Sequence, residues 1–181
     1  DFLFICGDLF EHDYVKKSTV SYVNELLGSL YGIETFIVPG NHDPCVEGSY
    51  YKTFKWSENV HILGDKESYR IVEEKKVWVW GAGFKGFSQH ESLVKGLKAS
   101  FHDYFNVLLV HGTVDMDIGS NSFNPMTSEE LKALGMDYIG LGHFHNPIFR
   151  LGGCPAYNPG SPEPLGFDEE GEHGVIVGRL S

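Results

Sequence analysis

Short apolar runs that close in glycine-containing turns recur along this chain and set its reading. Phe2 to Cys6 (FLFIC) is wholly apolar and stops at Gly7-Asp8, the pattern of a strand buried on both faces of an α/β sheet. Between Asp13 and Leu30, the residues Val15, Val20, Val23, Leu26, Leu27 and Leu30 recur near helical spacing and Gly32 supplies a stop, which predicts a helix. Ile33 to Val38 (IETFIV) is rich in β-branched residues and bounded by Pro39-Gly40, predicting a second core strand and completing a βαβ unit.

Further along, Val60 to Leu63, Tyr69 to Val72 and Val77 to Trp80 read as strands separated by charged turns, in an antiparallel or mixed sheet. A helix is expected over Ser92 to Phe101 and a buried strand over Asn106 to Val110, which ends at His111-Gly112. Thr127 followed by Ser-Glu-Glu is a capping-box pattern for a helix to Leu134. Tyr138 to Leu141 is a strand that delivers Gly142-His143-Phe144-His145, and Ile148 to Leu151, Ala156 to Tyr157 and Val175 to Leu180 are expected as short strands. No repeat or linker interrupts the pattern, so one α/β domain over residues 1–181 is expected.

Composition narrows the chemistry. The 181 residues are 41% hydrophobic and 14% aromatic, enough to bury one substantial core. Lys and Arg number 14 against 25 Asp and Glu, a net charge of −11, so a basic surface that grips nucleic acid unaided is disfavoured while bound cations are suited. Cys6, Cys45 and Cys154 show no CxxC spacing, which fits neither a disulfide framework nor a thiolate zinc site and points to a reducing compartment, with cytoplasm as the default. No apolar run approaches the roughly 18 residues that span a bilayer, so no membrane association is expected from a helix.

Four of the strand ends deliver Asp8, Asn41-His42, His111 and His143-x-His145 into loops. Residues at the carboxyl ends of strands in an open α/β sheet face the crevice where such folds bind substrates, so these side chains are expected to converge. Carboxylate and amide oxygen with imidazole nitrogen suits a divalent first-row ion such as Mn²⁺, Fe²⁺ or Zn²⁺ rather than Ca²⁺, with geometry selecting Mn or Fe.

The blocks GDLFE (Gly7 to Glu11), GNHD (Gly40 to Asp43), VHG (Val110 to Gly112) and GHFH (Gly142 to His145), in this order, resemble the calcineurin-like metallophosphoesterases. Within them, GDLF together with the tail NPGSPEPLGFDEEGEHG (Asn158 to Gly174) is most similar to the SbcD-type DNA-repair exonucleases and their Mre-type relatives. The resemblance implies a four-layer sandwich of two mixed β-sheets flanked by helices. It implies that Asp8 bridges two divalent ions, most in keeping with Mn²⁺, that Asn41, His111 and His143 complete one, and that His145 joins the other. His42 is then the catalytic histidine, giving a proton to the leaving oxygen or stabilising its charge, with Asp43 as the residue expected to orient it. The activity implied is phosphodiester hydrolysis, with DNA as substrate. An SbcC-like ATPase subunit is the partner that would supply a basic grip, and a homodimer is compatible.

Two departures accompany the resemblance. The family begins with an Asp-x-His strand, and no such triplet exists in this sequence; the chain opens on Asp1 inside a strand, so that segment is expected upstream. Many Mre-type nucleases carry His directly after GDLF, where this chain has Glu11 followed by His12. The alternatives are a small-molecule phosphodiesterase or phosphatase with the same metals, and a non-catalytic metal-binding module should the upstream strand not exist.

Other residues read more plainly. His12, His61, His90, His102 and His173 match no motif position and are read as surface or capping residues. Cys6 is expected in the core and Cys45 in a loop, Trp56, Trp78, Trp80, Tyr50 and Tyr51 as packing, and Gly81 to Gly86, which lacks a P-loop ending, as a loop.

Overall fold

A computed structural model describes residues 1–64, 68–99, 101–116, 123–147, 151–167 and 169–180. β1 (Phe2–Cys6), β2 (Glu34–Val38) and β3 (Val60–Ile62) form one sheet in that order, parallel in both pairings. β4 (Tyr69–Val72), β5 (Val77–Ala82), β6 (Phe105–His111), β7 (Tyr138–Gly142) and β8 (Ala156–Tyr157) form the second. This sheet is mixed: β4 runs antiparallel to β5 at one edge, and the remaining pairs are parallel. The helices are α1 (Lys17–Gly28), the single turn α2 (Tyr50–Thr53) and α3 (Ser128–Ala133).

The two-residue period of each strand sorts its side chains into layers. Phe2, Phe4 and Cys6 of β1, with Phe36 and Val38 of β2, meet Val77, Val79, Val107 and Leu109 between the sheets. Leu3 and Ile5 point the other way, to Ile37, Val60, and Val23 and Leu27 of α1. On the far side, Leu108, Val110, Ile139 and Leu141 are covered by Leu131 of α3. Each fully buried side chain of this kind contributes roughly 1.5–3 kcal/mol of transfer free energy. The result is the expected helix–sheet–sheet–helix order.

Glycine lets the two sheets close at one end. A Cβ on Gly140 would lie 2.9 Å from Cys6 Sγ, and one on Gly142 would lie 1.8 Å from the Cys6 carbonyl oxygen. β7 therefore runs directly against β1, which brings the carboxyl ends of strands from both sheets to one place.

Three expected elements are corrected. Residues 92–101 form turns instead of a helix, with Ser100 outside the described residues. Gly96 adopts φ +80, and the backbone amides of Leu93 and Ala99 bond to Asn124 Oδ1 and the Leu134 carbonyl, so tertiary acceptors replace a helical ladder. Leu93, Val94, Leu97 and Phe101 still pack on the core, which is what their spacing reported. Residues 175–180 form no strand; Val175 and Val177 are exposed while Leu180 packs against the intersheet layer. The first helix is shorter than its apolar spacing, because residues 11–15 close into a turn on the Glu11 carbonyl and Lys16 offers no side-chain cap. Half of the expected capping box forms: Thr127 Oγ1 accepts from the Glu130 amide at 3.0 Å, while Glu130 Oε1 accepts from Ser92 Oγ at 2.8 Å. Of the strand expected over Ile148 to Leu151, residues 148–150 lie outside the described residues.

His61 is also not a surface residue: it is buried, its ring tilted against that of Phe36, with Nε2 2.6 Å from Glu34 Oε2. Gly81 and Ala82 belong to β5, and the loop begins only at Gly83. The tryptophans pack as expected, Trp56 against Phe10, Tyr51 and Phe54, and Trp78 and Trp80 against Tyr69. None of the three cysteines forms a disulfide, and burial raises the Cys6 thiol to about 12, which leaves it an inert core group. Among the described residues no helix is long and apolar enough to cross a membrane.

Candidate metal centre

Four strand ends meet where β1 and β7 touch. Asp8 follows β1, Asn41 follows β2, His111 ends β6 and His143 follows β7. His111 Nε2 lies 3.1 Å from Asp8 Oδ2 and 2.9 Å from Asn41 Oδ1, and His143 Nδ1 lies 3.1 Å from the same Asn41 oxygen. Ligand atoms of Asp8, His111 and His143 all fall within 4.8 Å of one another.

The donor set itself asks for a cation. His111 Nδ1 lies 2.8 Å from the Cys6 carbonyl, which can only accept, so the Nδ1 proton is committed there. A neutral ring then turns its Nε2 lone pair toward a carboxylate oxygen and an amide oxygen, three acceptors facing one another with no proton between them. Separations of 2.9–3.1 Å are those of neighbouring ligands at about 2.0–2.1 Å from a first-row ion. The residues present therefore fit a divalent metal.

Backbone strain marks the same place. Asp8 has φ 55 and His143 φ 103, two of five non-glycine residues with positive φ among the described residues. Such conformations cost on the order of 1–3 kcal/mol each and persist only where the surroundings impose them. Space is equally tight: a Cβ on Gly7 would lie 2.2 Å from His111 Nδ1, and one on Gly40 would lie 2.1 Å from Asp8 Oδ1.

Asp43 is a clamp rather than the expected partner of the His42 ring. Its Oδ1 accepts from the amides of Asp8 at 3.0 Å and Gly40 at 2.8 Å, and its Oδ2 accepts from the Phe10 amide at 3.0 Å and Tyr51 Oη at 2.6 Å. This ties the GDLF turn to the GNHD turn. Burial raises the Asp43 carboxyl against the pull of these donors, with the Asp8 charge adding to the rise. The ring of His42 instead meets Glu11, Nδ1 to Oε2 at 2.8 Å, on the open side of the centre. Burial works against a charged His42, but the Glu11 hydrogen bond and the charges of Asp8, Glu11 and Asp43 outweigh it and hold the ring above its ordinary value. Burial works against the Asp8 charge, while the His42 amide, which donates to its Oδ1 at 2.9 Å, favours it.

His143 is pushed the other way, to about 4, chiefly by burial. Its lone pairs are thus available through the neutral range. The unfolded chain takes up this proton near 6.5 and the folded chain only near 4, so metal-free protein should lose stability as pH falls between them. The loss is roughly 2 kcal/mol after allowing for partial exposure. Denaturant melts across that range should show a flatter pH dependence in His143→Gln; an identical slope would refute the shift.

His145 is the expected ligand that stays outside the group. It is half-exposed, and its Nδ1 is hydrogen-bonded to the carboxylate of Glu169. Glu11 and Glu169 were not legible as site residues, since each partners an imidazole 31 or 24 positions away and glutamate in a loop carries no local signal. Asn124 was missed for the same reason: its Nδ2 donates to the His111 carbonyl at 2.7 Å and steadies the strand end.

An α/β sandwich whose strand ends gather carboxylate, amide and imidazole donors is the architecture of a metal-dependent phosphoesterase. The chain matches the calcineurin-like phosphoesterase family model over residues 1–147 and belongs to that family. It is 30% identical over 188 residues to YhaO of Bacillus subtilis (strain 168), an uncharacterized metallophosphoesterase, covering 98% of this chain and 45% of that protein. It is 28% identical over 199 residues to the DNA double-strand break repair protein Mre11 of Methanopyrus kandleri, covering 96% and 43%. To the D component of the nuclease SbcCD from Staphylococcus epidermidis it is 24% identical over 177 residues, covering 82% and 47%. The chain thus spans a little under half the length of these relatives. The family to which the chain belongs uses divalent metals.

Proposed function

We propose that this phosphoesterase cleaves phosphodiester bonds in DNA with two Mn²⁺ ions, Asp8 shared between them, Asn41, His111 and His143 holding one and His145 reaching the other. The observation that carries the reading is the convergence of Asp8, Asn41 and two imidazoles at 2.9–3.1 Å with His42 on the open side. Two relatives named for DNA repair or nuclease activity support the choice of substrate. Bound divalent ions supply a positive field that acidifies water and holds phosphate oxygens.

The chain's own groups do the rest. His42, its Nδ1 engaged by Glu11, keeps Nε2 to deliver a proton to the departing oxygen, and the Glu11 hydrogen bond with the surrounding carboxylates favours the protonated ring. A neutral Asn41 in place of a second carboxylate leaves the centre more positive and attracts an anionic diester. The net charge of −11 leaves a basic grip to a partner, for which an ATPase subunit of the SbcC kind is proposed, in keeping with a relative named as one component of SbcCD. That same charge favours small phosphodiesters as the second reading.

The test is hydrolysis by the intact protein, stripped of metal and reloaded with Mn²⁺, of linear duplex DNA, an aryl phosphodiester and an aryl phosphomonoester. DNA cleavage restored by Mn²⁺ is expected. Diester turnover with intact DNA would move the assignment to small substrates, and no hydrolysis by metal-loaded protein would overturn both.

A further inference from the structure

The segment Asn158 to Gly174, distinctive in sequence, folds back on the His143-x-His145 loop. Asn158 Nδ2 donates to the carbonyls of Phe144 at 2.9 Å and Asn146 at 3.2 Å, and the Ser161 amide donates to the His145 carbonyl at 2.9 Å. Gly160, at φ +76, lies so close that a Cβ would meet the His145 oxygen at 2.3 Å. His173 closes the segment on itself, its two ring nitrogens 2.9 Å from the carbonyls of Ser161 and Glu169.

At the centre of this brace is Glu169, whose side chain is only 11% exposed. Its Oε2 accepts from the Leu165 amide at 2.9 Å and from Ser161 Oγ at 3.2 Å, which fixes the carboxylate; its Oε1 takes His145 Nδ1. An ionised carboxylate only accepts, so the proton of a neutral His145 sits on Nδ1 and Nε2 is left with its lone pair. A metal-binding imidazole requires this partition, and a carboxylate on the other nitrogen both sets the tautomer and strengthens the donor.

The geometry points to Glu169 as a positioning residue that makes His145 a metal ligand through Nε2. This rests on the two-cation reading above and adds a residue to it. The Asn158 to Gly174 segment thereby gains a purpose, since it carries the carboxylate to His145 and holds the loop that bears that histidine.

The experiment uses the intact protein. Imidazole nitrogen–proton correlation spectra of the metal-free form at about pH 8, where an ordinary imidazole is neutral, report the His145 tautomer, and calorimetric titration with Mn²⁺ reports the two sites. Wild type is expected as the Nδ1–H tautomer with two Mn²⁺ bound. Glu169→Ala should show mixed tautomers and a 10- to 100-fold weaker second Mn²⁺, about the cost of losing such a partner, with the tighter site unchanged. Glu169→Gln keeps an acceptor oxygen and should recover most of both signals. Ser161→Ala loosens the brace without touching the imidazole and should leave the tautomer intact. Glu169→Ala with wild-type tautomer and two wild-type Mn²⁺ affinities would overturn the proposal, provided His145→Ala loses one ion. If His145→Ala keeps both ions, the place given to His145 in the two-cation reading fails, and Glu169 falls with it.

Discussion

Asp8→Asn should abolish measurable hydrolysis and strip the protein of most of its metal, while His42→Ala should lose hydrolysis and keep its metal. Asparagine is the informative replacement because it tolerates the φ of 55 at this turn and keeps an oxygen for the His42 amide, 2.9 Å from Asp8 Oδ1. It removes only the negative charge that faces His111 Nε2. Losing a ligand's supporting partner already costs about 10- to 100-fold in metal affinity, so losing the shared carboxylate should exceed about a hundredfold. Asp8→Ala adds backbone strain to the same loss. For His42, removal of a general acid lowers turnover by about 10² to 10⁴ with no charge taken from the metal group. Metal content by elemental analysis and turnover on the same samples separate the roles. Metal retained in Asp8→Asn, or turnover retained in His42→Ala, would remove that residue from its place.

The second large effect is structural. Gly142→Ala would set a methyl 1.8 Å from the Cys6 carbonyl oxygen and 2.9 Å from its carbon, backbone atoms that cannot swing aside. β7 must then part from β1, and the Cys6 oxygen that fixes His111 Nδ1 is displaced with it. Overpacking commonly costs about 1–3 kcal/mol, and a clash between two backbones belongs at or above about 3 kcal/mol. For a chain of this size that lowers Tm by roughly 6–12 °C, together with weaker metal binding. Gly152→Ala is the matched control, since a Cβ there meets nothing within 4 Å. Equal thermal melts for the two variants would show that the sheets do not depend on this contact.

The strands that end at the centre are legible in the sequence because each is a short apolar run closed by a turn with few alternatives. Asp8, Asn41, His111 and His143 could therefore be placed together from their positions alone. Legibility fails where partners are distant. Residues 92–101 have helical spacing, yet Asn124 and Leu134 supply their backbone acceptors and Gly96 turns the chain. His145 has the pattern of a ligand, but its Nδ1 is taken by Glu169, and Asp43 next to His42 clamps amides while Glu11, across the site, takes the ring. Val175 to Leu180 is apolar enough for a strand, yet it joins neither sheet, and Val175 and Val177 are exposed.

The positive φ angles of Asp8 and His143 bear on attempts to toughen this protein. Substitutions that relax those two turns would register as gains in any screen for heat resistance, because the tension they release no longer draws on the scaffold. Each gain would leave the donors aimed elsewhere, so thermostable variants chosen without an assay would accumulate as inert proteins.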